Sequence, residues 1–156
     1  MTAPDTPDAK PRLFLDDLRV GMRFMSGTYR VDEAEIMAFA QAYDPQPFHL
    51  DAEAASATVF AGLAASGWHT AAITMRLLVD AGLPLAGGII GAGGELEWPL
   101  PTRPGDVLQV ESEVLAVTPS RSRPDRGMAS VRSLTHNHKL EVVQRLTAKL
   151  IVPRRV

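Results

Sequence analysis

Apolar residues repeat with a helical period in the first half of the chain and with a strand-like period in the second. Between Asp32 and Asp44, apolar side chains fall at intervals of three and four residues, which predicts a helix lying on a core. Asp32 is a good N-cap, with Glu35 placed to complete a capping box. Pro45 predicts that this helix ends at Asp44. A second, short helix is expected after Asp51, which can cap it.

A longer helix is predicted from about Ala65 to Ala81. Apolar residues point in nearly all directions around it, which is typical of a helix enclosed by other structure. Gly82 and Pro84 follow as termination signals. Polar and charged residues interrupt the stretch, so it predicts a buried helix and not a bilayer span.

From Gly87 onward the pattern favours strands. A short strand is expected at Met22–Tyr29, and four long ones at Ile89–Trp98, Val107–Val117, Met128–His138 and Glu141–Val152. A buried helix followed by four antiparallel strands predicts an α+β fold in which the sheet curls around the helix. Such a sheet leaves an uncovered edge and an apolar face, so we expect a homodimer or higher homo-oligomer.

Composition narrows the class of protein. The 156 residues suffice for one domain, expected over residues 13–156 after a proline-rich, disordered tail at residues 1–12. The net charge of −2 argues against a nucleic-acid partner. With no cysteine there are no disulfides and no thiolate metal sites, which fits a reducing compartment. With no signal or membrane segment, we expect a cytoplasmic protein.

The segment YDPQPFHLD, residues 43–51, is the first candidate for chemistry. It holds a carboxylate, Asp44, and an imidazole, His49, on a loop stiffened by Pro45 and Pro47. Two such groups can share one water molecule, with one group taking its proton while the other orients it. The alternative is that Asp44 caps a turn and His49 packs against Phe48.

The second candidate is ASGWHT, residues 65–70, at the start of the enclosed helix. Backbone N–H groups there lack intrahelical partners, and Gly67 permits close approach of a carbonyl oxygen that gains negative charge. The alternative is that Ser66 is an N-cap and Gly67 a packing contact. Together the two segments suit addition of water to a double bond conjugated to a carbonyl.

YDPQPFHLD followed by GLAASGWHTAA resembles the MaoC-like (R)-specific enoyl-CoA hydratase family, over about Phe14 to Val152. The resemblance implies the hot-dog fold, an antiparallel sheet wrapped around a long central helix. It also implies reversible hydration of an enoyl-CoA with no metal and no cofactor. Asp44 and His49 match the two catalytic residues that hold the water, and Gly67 matches the oxyanion donor.

Three motif positions depart from the family pattern, because Tyr43, Gln46 and Phe48 replace a glycine, an asparagine and an aliphatic residue. Met75 stands where the family has a supporting serine, with Thr70 and Thr74 as possible substitutes. Ser66 stands where many members have histidine. The candidate substrate-binding residues are Ser66, Phe48, Trp68 and Trp98.

Two other functions stay open: a hot-dog acyl-CoA thioesterase, and a non-catalytic acyl-CoA-binding module. The helix of a thioesterase would carry an acidic residue, and here it has only Asp80, which we expect to pair with Arg76. His136 and His138 share a predicted strand face but lack a third ligand, so no metal site is predicted. His69 is expected to bond a backbone carbonyl.

The loop SRSRPDRG, residues 120–127, carries Arg121, Arg123 and Arg126. These arginines could contact the phosphates of coenzyme A, but we interpret the loop as a solvated hairpin tip.

Overall fold

Five antiparallel strands form one curved sheet in the computed structural model, which describes residues 11–155. The spatial order is β1-β3-β4-β5-β2, so β1 and β2 lie at the two edges. The strands are β1 (Arg23–Arg30), β2 (Ile90–Glu97), β3 (Val107–Pro119), β4 (Arg126–His136) and β5 (Val142–Pro153). The α+β class and the hot-dog fold predicted from the sequence are confirmed. Residues 1–10 of the predicted tail lie outside the described residues.

A 3₁₀-helix (Leu15–Asp17) precedes β1, and four α-helices lie between β1 and the last four strands. They are α1 (Glu33–Tyr43), α2 (Pro47–Leu50), α3 (Ala52–Ser56) and α4 (Gly67–Leu77), which continues through a π turn over Leu78–Gly82. A Cβ on Gly82 would lie 2.8 Å from the Leu77 carbonyl oxygen and 3.0 Å from the Ser26 side chain. Glycine therefore allows this last turn to pack closely against β1.

Two of the predicted helix caps form, and one does not. The Asp32 carboxylate accepts from the Ala34 amide, and Asp51 accepts from the amides of Glu53 and Ala54. Glu35 does not complete a capping box, because its carboxylate accepts a hydrogen bond from the Tyr29 hydroxyl at 2.7 Å instead. The prediction of a capping box was therefore wrong.

The core lies between α4 and the concave face of the sheet. Ile73 and Leu77 of α4 pack in one cluster with Val110, Val131 and Val152 of the sheet. This burial of apolar surface is the main force that holds the helix inside the sheet. No helix among residues 11–155 is both long enough and apolar enough to cross a membrane.

Strand β4 ends two residues earlier than the sequence pattern predicts. Asn137 accepts hydrogen bonds from the amides of Lys139 and Glu141, and this begins the turn into β5. The pairing of β4 with β5 also shifts its register between Thr135 and His136. The shift leaves Val142 only partly buried and places Val143 in the core beside it. Gln144 is fully buried, in phase with Leu150 and Val152 on the core face of β5.

Candidate active site

Asp44 and His49 lie close together because a short turn follows α1. Asp44 is the C-cap of α1, and Pro47 is the first residue of α2, which carries His49. The Oδ2 atom of Asp44 is 3.3 Å from Nε2 of His49. The two side chains therefore converge, as the spacing on a proline-braced loop predicts.

The hydrogen bond at Nδ1 of His49 determines which ring nitrogen can accept a proton. Nδ1 lies 2.7 Å from the backbone carbonyl oxygen of Ala64, which can only accept, so Nδ1 carries a proton and donates it. In the neutral ring, Nε2 is then the unprotonated nitrogen, and it faces Asp44. His49 is 4% exposed, so the ring is held firmly in this orientation. This tautomer can accept a proton from a water bound next to Asp44.

The Asp44 carboxylate is held by hydrogen bonds on both oxygens. The Gln46 side-chain amide donates to Oδ1 at 2.5 Å, and the Ser66 hydroxyl donates to Oδ2 at 2.7 Å. Burial raises the pKa of Asp44, but these two bonds and the nearby His49 outweigh it, and the pKa lies below its usual value. Asp44 is therefore ionised at neutral pH.

Ser66 precedes α4 but does not cap it. Its side chain is fully buried and its hydroxyl is directed to Asp44, so no side chain at this position satisfies the first amides of the helix. The alternative interpretation of Ser66 as an N-cap was therefore wrong. The Gly67 amide has no acceptor within the helix, and it donates to no other group within residues 11–155. An open helix N-terminus of this kind favours negative charge.

Both candidate segments face one cavity of about 560 Å³. Its polar side is formed by Asp44, His49, Ser66 and Gly67, and its apolar side includes Phe48, Phe60, Trp68, Trp98 and Leu100. All seven residues predicted from the sequence therefore line the same space. A volume in this range is typical of a small-molecule site.

Gly67 lies directly under the indole of Trp98. A Cβ on Gly67 would lie 2.6 to 2.8 Å from three ring atoms of Trp98, closer than packed atoms allow. Only glycine therefore permits this contact. Trp98 in turn packs edge-to-face on Trp68, with ring centroids 5.3 Å apart.

Met75, which replaces the supporting serine of the resembled family, does not line this cavity. It lies in a second apolar cavity farther along α4, together with Leu78 and Leu146. Of the two possible substitutes, Thr70 lines the first cavity and donates to the Thr102 hydroxyl at 2.9 Å. Thr74 is fully buried and bonds other partners.

The other three histidines make packing contacts or hydrogen bonds outside the cavity. His69 stacks on Phe39 with centroids 4.6 Å apart, and its buried Nδ1 has no hydrogen-bond partner in the part of the chain that the structure describes. The predicted bond to a carbonyl was therefore wrong for that nitrogen. His136 bonds the Gln109 carbonyl, and His138 accepts from the Val107 amide. No group of three or more potential metal ligands occurs in the described part of the chain.

The basic hairpin lies far from the cavity within the same chain. The cavity is lined by residues just before β3 begins, whereas the hairpin follows the last residue of β3. A strand of 13 residues spans roughly 40 Å. Arg126 pairs with Asp125 at 3.1 Å, as expected of a solvated tip.

Sequence reasoning missed the role of Arg103. Its guanidinium donates to the carbonyls of Phe60, Gly62 and Leu63, and so it fastens the loop that forms one cavity wall. The RPGD segment at residues 103–106 could have indicated it, but the pattern only signals a turn. An arginine that bonds three backbone carbonyls is not apparent from local spacing.

Comparisons with known proteins agree on one family. The profile described as "MaoC like domain" matches residues 18–137. The crystal structure of a MaoC-like dehydratase from Rhodospirillum rubrum is 67% identical, with a TM-score of 0.91, and the match covers 92% of this chain and 99% of that one.

Two curated relatives are also similar. Protein YdeM of Bacillus subtilis is 36% identical over 80% of this chain and 88% of its own length. A 3-hydroxybutyryl-CoA dehydratase of Methylorubrum extorquens is 30% identical over 71% of this chain and 69% of its own length.

Proposed function

This chain belongs to the MaoC-like dehydratase family, and from that premise we propose that it reversibly adds water across the 2,3 double bond of an enoyl-CoA. The observation that carries the proposal is the convergence of Asp44, His49 and the open Gly67 amide on one cavity. The similarity to a 3-hydroxybutyryl-CoA dehydratase supports a coenzyme A thioester as substrate. The proposal includes a cytoplasmic location, because coenzyme A thioesters are intracellular metabolites.

In the proposed reaction, a water molecule lies between Asp44 and His49. The ionised carboxylate of Asp44 accepts one hydrogen bond from this water and orients it, while Nε2 of His49 accepts its other proton. The oxygen then bonds to C3, and the electrons of the double bond move toward the thioester carbonyl. A proton returns from the imidazolium to C2, which leaves a 3-hydroxyacyl thioester. Acid–base assistance of this kind contributes about 10²–10⁴-fold in rate.

The Gly67 amide would stabilise the enolate that forms in this reaction. The thioester oxygen gains negative charge as water adds, and the positive end of α4 lies beside it. Removal of one such donor in other enzymes lowers the rate by about 10²–10³-fold. The Ser66 hydroxyl bonds Asp44 and leaves the Gly67 amide free of it. Asp44 and the Gly67 amide can therefore act in the same step.

The thioesterase alternative finds less support. Asp80, the acidic residue of the helix, is 55% exposed at its side chain and pairs with Arg76 at 2.9 Å. It does not line the cavity that holds Asp44 and His49. The binding-module alternative differs from the hydratase only in turnover, so an activity assay separates the two.

We also propose a homodimer through one face of the molecule. Trp68, Met75 and Val79 lie on one side of the central helix and are 62%, 42% and 54% exposed. Strand β2 is a glycine-rich edge strand, and seven of its eight residues are exposed. A second copy on this face would cover apolar surface and pair the open strand edge. Light scattering after gel filtration should give the mass of a dimer, and Met75→Glu should lower that mass.

The direct test follows the enoyl absorbance and free thiol of crotonyl-CoA together. Loss of absorbance without thiol release supports the hydratase, and thiol release would favour the thioesterase. Binding of crotonyl-CoA without either change would favour the binding module. Activity that survives in both Asp44→Asn and His49→Ala would contradict the proposed site.

A further inference from the structure

A chain of hydrogen bonds connects Trp98 in the cavity wall, which is 40% exposed, to the buried middle of α4. The indole Nε1–H of Trp98 donates to Oε1 of Gln144 at 3.0 Å, and Nε2 of Gln144 donates to Oγ1 of Thr74 at 3.0 Å. Thr74 lies 2.6 Å from the hydroxyl of Thr135 on β4. Gln144, Thr74 and Thr135 are all fully buried.

The chemistry of the donors fixes the direction of this chain. An indole N–H can only donate, so the Gln144 carbonyl must face Trp98 and its NH₂ group must face Thr74. Both ends of the Gln144 amide are therefore satisfied in one orientation only. A buried amide that lost either partner would carry an unsatisfied polar group. Gln144 thus holds the Trp98 ring in a single position above Gly67.

Along α4, the residue that belongs to this chain falls between residues that line two different cavities. Along α4, Gly67 and Thr70 line the reaction cavity, Thr74 belongs to the hydrogen-bonded chain, and Met75 and Leu78 line the second cavity.

On the two strands that carry Gln144 and Thr135, the second cavity lies directly beside the hydrogen-bonded chain. On β5, Leu146 and Ala148 of the second cavity follow Gln144. On β4, Thr135 is preceded by Val131 and Ser133, which also line the second cavity. The second cavity measures about 280 Å³ and is mostly apolar.

We propose that Trp98, Gln144, Thr74 and Thr135 form a partition that closes the reaction cavity and restricts the substrate to short acyl chains. Trp98 is the wall, and Gln144 is a positioning residue that acts through it. The inference rests on the proposed function, because it assumes that the thioester carbonyl binds at Gly67. An apolar space behind the wall is the natural extension for a longer chain once the wall is displaced.

The first test measures binding and does not require turnover. Calorimetry gives the Kd of butyryl-CoA and octanoyl-CoA, saturated thioesters that cannot be hydrated. Wild type should prefer butyryl-CoA, whereas Gln144→Leu, Thr74→Val and Trp98→Ala should shift the ratio of the two Kd values toward octanoyl-CoA by about tenfold or more. A wild type that prefers octanoyl-CoA, or variants with an unchanged ratio, would overturn the partition.

A double variant separates positioning from general damage to the core. If Gln144 acts through Trp98, adding Gln144→Leu to Trp98→Ala should change the Kd ratio no further. A matched control is Ser26→Ala, which removes a buried hydroxyl that accepts from the Val110 amide, and neither of these two residues lines either cavity. The control should leave the ratio unchanged, and an equal shift there would contradict the proposal.

A spectroscopic readout tests the hydrogen-bonded chain without any thioester. The protein has two tryptophans, so Trp68→Phe leaves Trp98 as the only indole. In that background, Gln144→Leu and Thr74→Val should increase acrylamide quenching and lower fluorescence anisotropy, with far-UV circular dichroism unchanged. Unaltered quenching and anisotropy would show that Gln144 does not hold the ring. A protein that hydrates no enoyl-CoA, yet passes the binding and fluorescence tests, would refute the proposed reaction and not the partition.

Discussion

His49 and His69 are both buried, at 4% and 7% exposure, yet their surroundings differ in every respect that matters for proton transfer. Nδ1 of His49 donates to the Ala64 carbonyl and its Nε2 faces Asp44. His69 stacks on Phe39, and its Nδ1 has no partner among residues 11–155. Burial alone therefore does not prepare an imidazole for catalysis. An imidazole is prepared for catalysis when a partner at one ring nitrogen fixes the tautomer and a charged group lies beside the other nitrogen.

The largest expected effect comes from breaking the His49 arrangement. Asp44→Asn keeps the shape of the side chain but removes the charge that orients the water and supports a protonated His49. We expect kcat for crotonyl-CoA hydration to fall about 10²–10⁴-fold, and a similar fall for His49→Ala. Since both act on one water, the double variant should be little worse than either single variant. Additive losses would contradict a shared water.

A smaller effect is expected from a change at Ser66. This change tests whether the charge of Asp44 is what distinguishes His49 from His69. The Ser66 hydroxyl lowers the pKa of Asp44, so Ser66→Ala should raise that pKa. The Asp44 carboxyl, followed by ¹³C NMR, should then titrate at higher pH, and the less firmly held carboxylate should lower kcat/KM about tenfold at neutral pH. Ser66→Thr retains a hydroxyl and is the control. An unshifted NMR titration of Asp44 in Ser66→Ala would show that this hydrogen bond does not tune the pKa of Asp44.

His69 should affect stability and not catalysis. Burial lowers its pKa below the usual 6.5, an effect that Glu35 opposes, so the folded protein holds the neutral ring. Because the unfolded chain takes up the proton first, the free energy of unfolding should fall as pH drops below about 6.5. His69→Phe should weaken this pH dependence and leave the hydration rate unchanged. Urea unfolding at pH 7 and pH 5 measures it, and an equal pH dependence in both proteins would contradict the assignment.

The smallest effect is expected from a change at His138, which contacts neither the groups around His49 nor those around His69. Its ring accepts one exposed hydrogen bond, from the Val107 amide at 3.3 Å. His138→Gln should change the free energy of unfolding by less than about 0.5 kcal/mol. Added Zn²⁺ should neither raise the hydration rate nor shift the melting temperature. A zinc-dependent shift that His138→Gln abolishes would reveal a metal site.

Local patterns in the sequence predicted most of the fold. The helical period between Asp32 and Asp44, the glycine and proline signals near Gly82, and the alternation along β5 each depend on neighbouring residues only, and the elements formed within a few positions of their predicted bounds. The end of β4 was misjudged because the Asn137 side chain, which competes with the strand, initiates the turn.

Contacts between distant parts of the chain could not be predicted in the same way. The spacing of Asp44 and His49 indicated their convergence, because only a short turn separates the end of α1 from α2, which carries His49. The bond from Ser66 to Asp44 spans 22 positions, and the bond from Trp98 to Gln144 spans 46. Such partners are set by how distant elements pack together. Alternation along β5 predicts that Gln144 faces the core, but not that it contacts Trp98 and Thr74. No local pattern carries that information.

The central claim is that one water is shared by Asp44 and His49 beside the Gly67 amide. A crystal structure of the Asp44→Asn variant with crotonyl-CoA tests it most directly. The account predicts the thioester oxygen about 2.7–3.1 Å from the Gly67 nitrogen, with a water near His49 Nε2 that faces C3. A crotonyl group bound with its carbonyl away from Gly67, or with C3 out of reach of any water near His49, would contradict it.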